Sequence, residues 1–372
     1  MKLSEHLRQV FTIAPDSLAM EFNSRSFSWA EVARASEHVA ATLPALGVEA
    51  ADVIGWVGQN SPSAVASLIG LALSEHCAAI LNPHSGAQAL SDEVERQRFP
   101  AIIGDPGFWA IPGVAEAAKK AGSAGLVVTW EEVGMSLTSH PGLERVGPGP
   151  HRSPMPEIVI ERISSGTTGL PKRTPQSLSS IMTEFALGQR KEGAKPEAQT
   201  AVKRSPSLIP RSLAHAGTFA VLLAFYSARP IVLQEKFTVD GVVGAIRRHR
   251  IKAVSLVPTM IKMIMDAGVP REDLSSLIVM RSGTAPLDPA LQAAFEEKYG
   301  IPILVDYGAT EFGGVASWSL EDHKRYALQK RGSVGRALKG MQMRVVDPGT
   351  REEIRNGQMG LLELRVDHKG DD

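Results

Sequence analysis

One stretch decides the fold of this chain: residues 158–172, which read IVIERISSGTTGLPK. Its first part, Ile158 to Ile163, is a mostly apolar run typical of a strand, and its second part combines hydroxyl side chains and glycines with a closing lysine, Lys172. Glycine lets the backbone turn its N–H groups toward an anion, hydroxyls add uncharged donors, and lysine adds a mobile positive charge. The stretch therefore predicts a strand that leads into a phosphate-binding loop, with an amphipathic segment beginning near Ser177.

The loop differs from a Walker loop, which has two glycines separated by four residues and then lysine followed by serine or threonine. Pro171 occupies the place of the second glycine, and Arg173 follows Lys172. A P-loop kinase or ATPase is therefore disfavoured. Taken alone, the loop could also be a plain Ser/Thr/Gly linker, because such composition is common in loops.

Strands and helices are predicted to alternate on both sides of this loop. A capping signature at Ser28 to Glu31 begins one helix, which ends at Gly47. The other predicted helices lie near 63–74, 91–98, 114–121, 219–225, 239–249 and 258–265, and the predicted strands near 53–57, 78–81, 101–104, 125–130, 230–233, 253–257, 277–280 and 303–305. Short extended pieces at 341–346 and 360–366 follow Gly332. We therefore predict an α/β fold of stacked, mostly parallel sheets covered by helices, with a small β-rich subdomain, a distorted barrel, near the C-terminus.

The chain has 372 residues, more than one hydrophobic core usually serves, so at least two subdomains are expected. The stretch from Leu137 to Pro156 is rich in proline and glycine and interrupts the alternation, as a surface connection does. We predict a first α/β subdomain over 1–150, a second over 151–330, and the start of the β-rich subdomain over 331–372.

Composition excludes several classes of partner. The 40 basic and 40 acidic residues balance, so no overall field favours nucleic acid or an anionic membrane surface. The N-terminus lacks the layout of a signal peptide, and no apolar run is long enough to span a bilayer. The single cysteine, Cys77, has no internal partner for a disulfide, and we interpret it as a buried residue rather than a nucleophile. We expect a cytoplasmic protein with no nucleic-acid partner and no membrane span.

The motif SSGTTGLPK resembles the phosphate-binding signature of the adenylate-forming superfamily, which includes acyl-CoA and aryl-CoA synthetases, luciferases and nonribosomal adenylation domains. Four later stretches resemble further motifs of that superfamily, in the same order. They are SGTAPL at 282–287, similar to the adenine-edge loop, YGATE at 307–311, GSVG at 332–335, and 360–366. The resemblance covers the chain from residue 163 to its end, whereas the first half is compatible through its layout alone.

The resemblance implies a site for ATP and Mg²⁺ in the second subdomain. It implies that Tyr307 stacks on adenine, that Thr310 contacts the α-phosphate and the substrate carboxylate, and that Glu311 helps to hold Mg²⁺. These residue types suit such roles, although Tyr307 taken alone could be a core aromatic. The implied catalytic residues are Thr167, Lys172, Thr310 and Glu311, and the implied nucleotide-binding residues are Ser165, Gly166, Thr168, Gly169, Gly283, Thr284, Ala285, Asp306, Tyr307 and Gly308.

Two positions depart from the superfamily's pattern. Val305 stands where an amide often reads the adenine amino group, so Asp306 or the backbone of 283–285 would have to accept those hydrogens instead. Arg173 stands where a glycine follows the lysine. The sequence alone does not indicate what Arg173 does.

The segment PRSLAHAG at 210–217 resembles the part of the superfamily that borders the acyl pocket. His215 would then line or gate this pocket, together with Gly217 and Ser282. The alternative is a structural histidine that is hydrogen-bonded near apolar residues. Members that activate amino acids usually carry an aspartate near here, and none lies between Ser205 and Gln234, so an aryl or aliphatic carboxylate is favoured.

The implied reaction joins a small carboxylic acid to ATP, giving an acyl-adenylate and pyrophosphate, and then passes the acyl group to coenzyme A in fatty acid or aromatic acid metabolism. A carrier-protein-loading adenylation domain and a catalytically silent nucleotide- or acyl-binding module are the alternatives. The sequence ends at Asp372, before the superfamily's ribose-binding aspartate, hinge and C-terminal lid domain. We therefore expect a large N-terminal domain of low activity by itself, and leave a homodimer open.

Overall fold

The structure, a computed structural model, describes residues 2–164, 172–191, 201–355 and 357–366. For residues 164, 186–191 and 366 it describes the backbone alone. The chain forms two compact units, Met1–Ile251 and Lys252–Asp372. Among the described residues, no helix is both long and apolar enough to cross a membrane.

The first unit alternates helices with strands. Its helices are α1 (Leu3–Ile13), α2 (Trp29–Thr42), α3 (Pro62–Leu73), α4 (Ala87–Gln97), α5 (Pro106–Trp109), α6 (Val114–Ala121), α7 (Leu178–Lys191), α8 (Ala216–Tyr226) and α9 (Val239–His249). Its strands are β1 (Leu18–Phe22), β2 (Arg25–Ser28), β3 (Val53–Val57), β4 (Cys77–Leu81), β5 (Ala101–Gly104), β6 (Ala124–Glu131), β7 (Gly134–Ser139), β8 (Ile158–Ser164), β9 (Lys172–Ser177), β10 (Ser207–Ile209) and β11 (Ile231–Leu233). A 3₁₀ turn, Leu43–Leu46, follows α2.

A seven-stranded sheet in the order β7-β6-β5-β3-β4-β8-β9 forms the centre of this unit. Its five inner strands are parallel, and β7 and β9 pair antiparallel at the two edges. Strands β3 and β4 are apolar throughout because both faces of the sheet are covered. Alternate residues of β3 enter opposite cores: Ile54 and Trp56 pack on one side, Val53 and Val57 on the other.

A second sheet in this unit, in the order β10-β11-β1-β2, joins segments that lie far apart in sequence. Strand β11 is parallel to both β1 and β10, and β1 and β2 form a hairpin. The capping box predicted at Ser28 is confirmed. The Ser28 hydroxyl accepts from the backbone N–H of Glu31, and the Glu31 carboxylate accepts from the backbone N–H of Ser28 at 2.7 Å.

The second unit continues the α/β pattern and ends in extended segments. Its elements are β12 (Ala253–Leu256), α10 (Pro258–Asp266), a 3₁₀ turn (Arg271–Leu274), β13 (Val279–Ser282), α11 (Pro289–Tyr299), β14 (Ile303–Ala309), β15 (Gly313–Ser317), α12 (Leu320–Tyr326), β16 (Arg336–Ala337), β17 (Met341–Val346) and β18 (Leu361–Val366). Strands β12 to β14 are parallel, β14 to β16 are antiparallel, and β17 pairs antiparallel with β18. The predicted α/β fold, with a small antiparallel β element near the C-terminus, is confirmed.

The two compact units do not coincide with the predicted divisions at residues 150 and 330. Strand β8 pairs with β4 through Ala78 and Ile160, so the chain returns to the first sheet after residue 150. Strands β10 and β11 likewise pair with β1. Long-range strand pairing, which a local change in composition does not reveal, therefore extends the first unit to residue 251.

Candidate active site

The predicted phosphate loop joins the two strands of a hairpin at the edge of the seven-stranded sheet. Strands β8 and β9 pair antiparallel, and Ser164 opposite Lys172 is the last pair before the loop. Since β8 is parallel to β4, the loop leaves the carboxyl end of β8, which is where parallel sheets place ligands. Lys172 is exposed as the first residue of β9. The loop residues Ser165, Gly166, Thr167, Thr168 and Gly169 lie outside the described part of the chain.

Arg173, the unexplained departure from the motif, points into the protein. Its side chain is only 8% exposed and contacts Glu93 of α4 at 2.6 Å and Glu161 of β8 at 3.2 Å. It also donates to the backbone carbonyl of Ile80 at 3.1 Å. Arg173 thus connects the hairpin of β8 and β9 to helix α4 through a buried ion pair.

The segment before α8 brings His215 to the N-terminus of that helix. Burial of part of the ring lowers the pKa of His215 below its usual value, and the neighbouring His84 and Arg162 act in the same direction. The residue remains exposed, and its ring is neutral at pH 7. Gly217 is required by the tight turn beside it, because a Cβ there would lie 2.7 Å from the carbonyl oxygen of Arg211.

Asn60, which sequence reasoning missed, holds this segment in place. Its amide nitrogen donates to the carbonyl of Arg211 at 3.1 Å and to the carbonyl of Gln234 at 2.8 Å. Its amide oxygen accepts from the backbone N–H of Leu213 at 2.7 Å. Asn60 follows the carboxyl end of β3, and that position beyond a parallel strand is the signal that could have identified it.

In the second unit, the structure brings the predicted adenine-edge and tyrosine motifs together on neighbouring strands. Ser282 ends β13, which lies parallel to β14, and a Cβ on Gly283 would lie 3.1 Å from the carbonyl oxygen of Asp306. Strand β14 continues to Ala309, so Tyr307 and Gly308 lie on a strand rather than in the loop that the sequence predicted. The backbone of Gly313 passes so close to Gly308 that any side chain at Gly308 would collide with it.

The exposure of the motif side chains suits contact with a ligand. Tyr307 is 36% exposed, which excludes the alternative of a core aromatic. Thr310 and Glu311 follow β14 at the turn of its hairpin with β15, and Glu311 is exposed. Ala285 is also exposed, as is Thr284, which has a φ of 69°, a left-handed conformation that is unusual for a β-branched residue. Among the described residues, the buried hydroxyl of Ser282 has no hydrogen-bond partner.

An ion pair fixes the spacing of these two motifs. The Arg281 guanidinium donates to both carboxylate oxygens of Asp306, at 2.9 and 2.7 Å, and to the hydroxyl of Ser317 at 2.7 Å. That hydroxyl donates in turn to Asp306 at 2.5 Å. The Asp306 carboxylate, predicted to accept from adenine, is thus already engaged with two neighbours on β13 and β15.

No group of three or more histidine, cysteine, aspartate or glutamate side chains that could hold a metal by itself occurs in the described ranges. Magnesium is commonly bound by one or two carboxylates together with substrate phosphates and water. The exposed carboxylate of Glu311 fits that donor set. The residues present are therefore suited to a magnesium ion that arrives with a nucleotide.

The structure is that of an α/β protein whose sequence motifs lie at the ends of parallel strands. Residues 7–368 match the family described as AMP-binding enzyme, and the chain belongs to this family. The resemblance read from the motifs is confirmed at that level.

Two relatives are similar to this chain in sequence. It is 30% identical to 4-coumarate–CoA ligase 3 from Oryza sativa subsp. japonica, over 91% of this chain and 61% of that protein. It is 26% identical to 4-coumarate-CoA ligase 1 from Narcissus pseudonarcissus, over 92% of this chain and 63% of that protein. The chain thus spans about three fifths of the length of these relatives.

The fold is shared with ATP-bound MatB from Rhodopseudomonas palustris, with a TM-score of 0.79 at 20% identity, over 99% of this chain and 71% of that one. It is also shared with the o-succinylbenzoate CoA synthetase MenE from Bacillus subtilis in complex with an acyl-adenylate, with a TM-score of 0.73 at 20% identity, over 97% of this chain and 69% of that one.

Proposed function

We propose that this protein activates a carboxylic acid with ATP and transfers the acyl group to coenzyme A, as an acyl-CoA or aryl-CoA ligase. The match of residues 7–368 to the AMP-binding enzymes carries the proposal. The exposed ring of Tyr307 beside the adenine-edge loop supports it, because an accessible aromatic face can stack on a purine.

In the proposed reaction, a carboxylate oxygen of the acid attacks the α-phosphorus of ATP, and pyrophosphate leaves. The thiol of coenzyme A then attacks the acyl carbonyl, and AMP leaves. Neither step needs a protein nucleophile, so the task of the protein is to position the reactants and to neutralise charge. Lys172 supplies positive charge to the phosphates, and Thr310 donates to the α-phosphate. Glu311 would help to hold a magnesium ion, which would supply further neutralisation of the phosphate charge.

The acyl side of the site is proposed to form around His215. Because its pKa is lowered, this ring is neutral at pH 7 and offers one donor and one acceptor without adding a charge next to the reacting carboxylate. Gly217 and Ser282 are the other residues proposed for the acid. The buried Ser282 hydroxyl, which has no partner among the described residues, suits a hydrogen bond to the substrate.

We propose an aromatic acid without an α-amine as the substrate. Relatives of this chain are named as 4-coumarate–CoA ligases, and 4-coumarate is an aryl acid. The absence of aspartate between Ser205 and Gln234 supports the exclusion of amino acids, since a buried ammonium without a partner is costly. The cytoplasmic location and the lack of a nucleic-acid partner stay predictions from composition.

The test is acid-dependent pyrophosphate release by the full protein, with 4-coumarate, benzoate, hexanoate and phenylalanine as acids, followed by thioester formation with free coenzyme A. We expect release with the aryl acids and none with phenylalanine. Lys172→Ala should lower kcat/KM for ATP on the order of a hundredfold, because a positive charge at the phosphates is lost.

Lys119→Ala is the matched control, since Lys119 is an exposed lysine on α6. It should leave the kinetics unchanged. ATP binding without acid-dependent pyrophosphate release from any acid would refute the ligase and leave a nucleotide-binding module. Transfer to a carrier protein but not to free coenzyme A would indicate an adenylation domain instead.

A further inference from the structure

A buried network of charged side chains surrounds the base of the phosphate-loop hairpin. Arg173 of β9 binds Glu93 of α4 and Glu161 of β8, and Arg152 makes two hydrogen bonds to Glu161, both at 2.9 Å. The side chains of Arg173, Glu161 and Glu93 are 8%, 4% and 13% exposed. The ring of Phe99 lies near both guanidinium groups, with its centroid 5.7 Å from Arg152 and 5.4 Å from Arg173.

The stability of such a network depends strongly on the geometry of its ion pairs and hydrogen bonds. Buried charges are tolerated only when the ion pairs and hydrogen bonds around them are well formed, so a small displacement of one member is costly. Arg173 meets three acceptors at once, which are Glu93, Glu161 and the backbone carbonyl of Ile80. The planar fork of the guanidinium directs separate N–H groups at these acceptors from one Cα position. The position of Arg173 on β9 is therefore closely fixed.

Fixing Arg173 also fixes Lys172. The two residues are neighbours on β9, opposite Ile163 and Ser164, and successive side chains of a strand point to opposite faces. When Arg173 points inward to α4, Lys172 points away from it. The network therefore sets both the place and the direction from which the Lys172 ammonium leaves the strand.

The hairpin needs this support because β9 is a weak strand. It lies at the edge of the sheet, and Pro175 within it has no N–H to donate to β8. Arg173 and Glu161 form a diagonal cross-strand pair that joins β9 directly to β8. Strands β8 and β9, which flank residues 165–171, are thus tied to the same buried charges. The motif that this stretch resembles has glycine at the position of Arg173. The ion pairs of Arg173 are therefore a feature of this chain and not of the motif.

We propose that Arg173 is a positioning residue for ATP: through Glu93 and Glu161 it holds the Lys172 end of the phosphate loop in the orientation that binds the phosphates. This inference rests on the proposed function for the identity of the nucleotide and for the contact of Lys172 with its phosphates. Its alternative is that Arg173 merely neutralises Glu161 and contributes to stability.

The test compares Arg173→Lys, Glu93→Gln and Arg96→Lys in the full protein. Lysine keeps the positive charge but presents all its donors from one nitrogen instead of a planar fork, and Glu93→Gln weakens the ion pair of Arg173 with α4 without changing the hairpin. Arg96 also pairs with Glu93, at 2.9 Å, but does not reach β9, so Arg96→Lys is the matched control. The readouts are the affinity for a fluorescent ATP analogue, the KM values for ATP and for the acid, and the melting temperature.

We expect Arg173→Lys and Glu93→Gln to weaken ATP binding and to raise the KM for ATP on the order of tenfold, with the KM for the acid unchanged, because misplacement of a binding group by a fraction of an ångström is felt at the phosphates. Arg96→Lys should match the wild type. If Arg173→Lys lowers the melting temperature but leaves ATP affinity and KM unaltered, the role is structural and the proposal is overturned. Weakened ATP binding by Arg173→Lys in a protein that activates no acid would uphold this inference while the ligase proposal fails.

Discussion

Replacing Asn60 is expected to disturb the segment that carries His215. The Asn60 residue is only 6% exposed, and its amide satisfies two carbonyl groups and one N–H of the backbone. All three groups belong to segments at least 150 residues later in the chain, so the amide is a tertiary connection rather than a local turn. Loss of this side chain therefore removes three hydrogen bonds at one point.

The expected size of the effect follows from those bonds. Each contributes about 1 kcal/mol net, so Asn60→Ala should cost about 3 kcal/mol of unfolding free energy, and more if water does not reach the vacated groups. Asn60→Asp keeps the acceptor for Leu213 but turns a carboxylate oxygen toward the carbonyls of Arg211 and Gln234. It should cost more than alanine at pH 7, because the charged form is penalised by about 1.4 kcal/mol for each unit by which the pKa of the new carboxyl rises.

The sign of the pH dependence is fixed by the same contacts. Two carbonyl oxygens disfavour the charged carboxylate and accept from the protonated one, so the folded-state pKa of an aspartate at position 60 lies above its unfolded value of about 3.9. The loss of unfolding free energy caused by this aspartate is small below the unfolded-state pKa. It grows as pH rises through the folded-state pKa. The difference between Asn60→Asp and wild type should therefore shrink from pH 7 to pH 4.

Urea unfolding followed by tryptophan fluorescence measures the unfolding free energy of the first unit, because four of the five tryptophans precede residue 251. Asn82→Asp is the matched control: Asn82 follows β4, and its side chain is seen only to accept, from the backbone N–H of His84 at 3.1 Å. The unfolding free energy of Asn82→Asp should be close to that of the wild type. Equal stabilities for Asn60→Asp and Asn82→Asp at pH 7, or a penalty for Asn60→Asp that does not fall with pH, would refute the reasoning.

Three further predictions concern other parts of the chain. Thr284→Gly should raise the stability of the second unit by about 1 kcal/mol in thermal unfolding, because relief of the left-handed conformation exceeds the added entropy of the unfolded chain, and a loss of stability would contradict it. Burial raises the pKa of Cys77 to about 12, so its thiol should resist iodoacetamide at pH 8 until the protein is denatured, and rapid labelling of the native protein would exclude this. Burial opposes ionisation of Glu21, but hydrogen bonds from Arg248 and His249 lower its pKa overall. The stability it adds should be present above about pH 4.5 and lost as pH falls through the lowered pKa, and Glu21→Gln should flatten this acid limb in urea titrations at pH 3 to 6.

Features encoded by a local pattern could be predicted from the sequence. Apolar runs identified β3 and β4, since a parallel strand covered on both faces must be apolar throughout. The capping signature identified the start of α2 to the residue, because both of its hydrogen bonds join residues three positions apart. The motif that contains Tyr307 and Glu311 could be recognised for the same reason, because its residues are contiguous, and the roles of these two residues stay predictions.

Features that depend on distant pairing could not be predicted. Strand β8 pairs with β4, about 80 residues earlier, and β11 pairs with β1, about 210 residues earlier. The sequence of each strand does not specify which other strand it will pair with. Asn60 was missed for the same reason. A lone asparagine after a strand is common, and only the backbone of 211–213 and 234 gives it a function.

Asp306 illustrates how such a partner changes the interpretation of a motif residue. Beside a stacking tyrosine, an aspartate suggests an acceptor for the adenine amino group. Its carboxylate, however, accepts two hydrogen bonds from Arg281 and one from Ser317, which come from the strands on either side of β14. Adenine would have to share these oxygens with a guanidinium whose bond to them is charge-assisted and strong. Among the described residues, no such competitor contacts the backbone carbonyls of 283–285, so we expect them to be the better acceptors and Asp306 to act mainly by keeping the two motif strands in register.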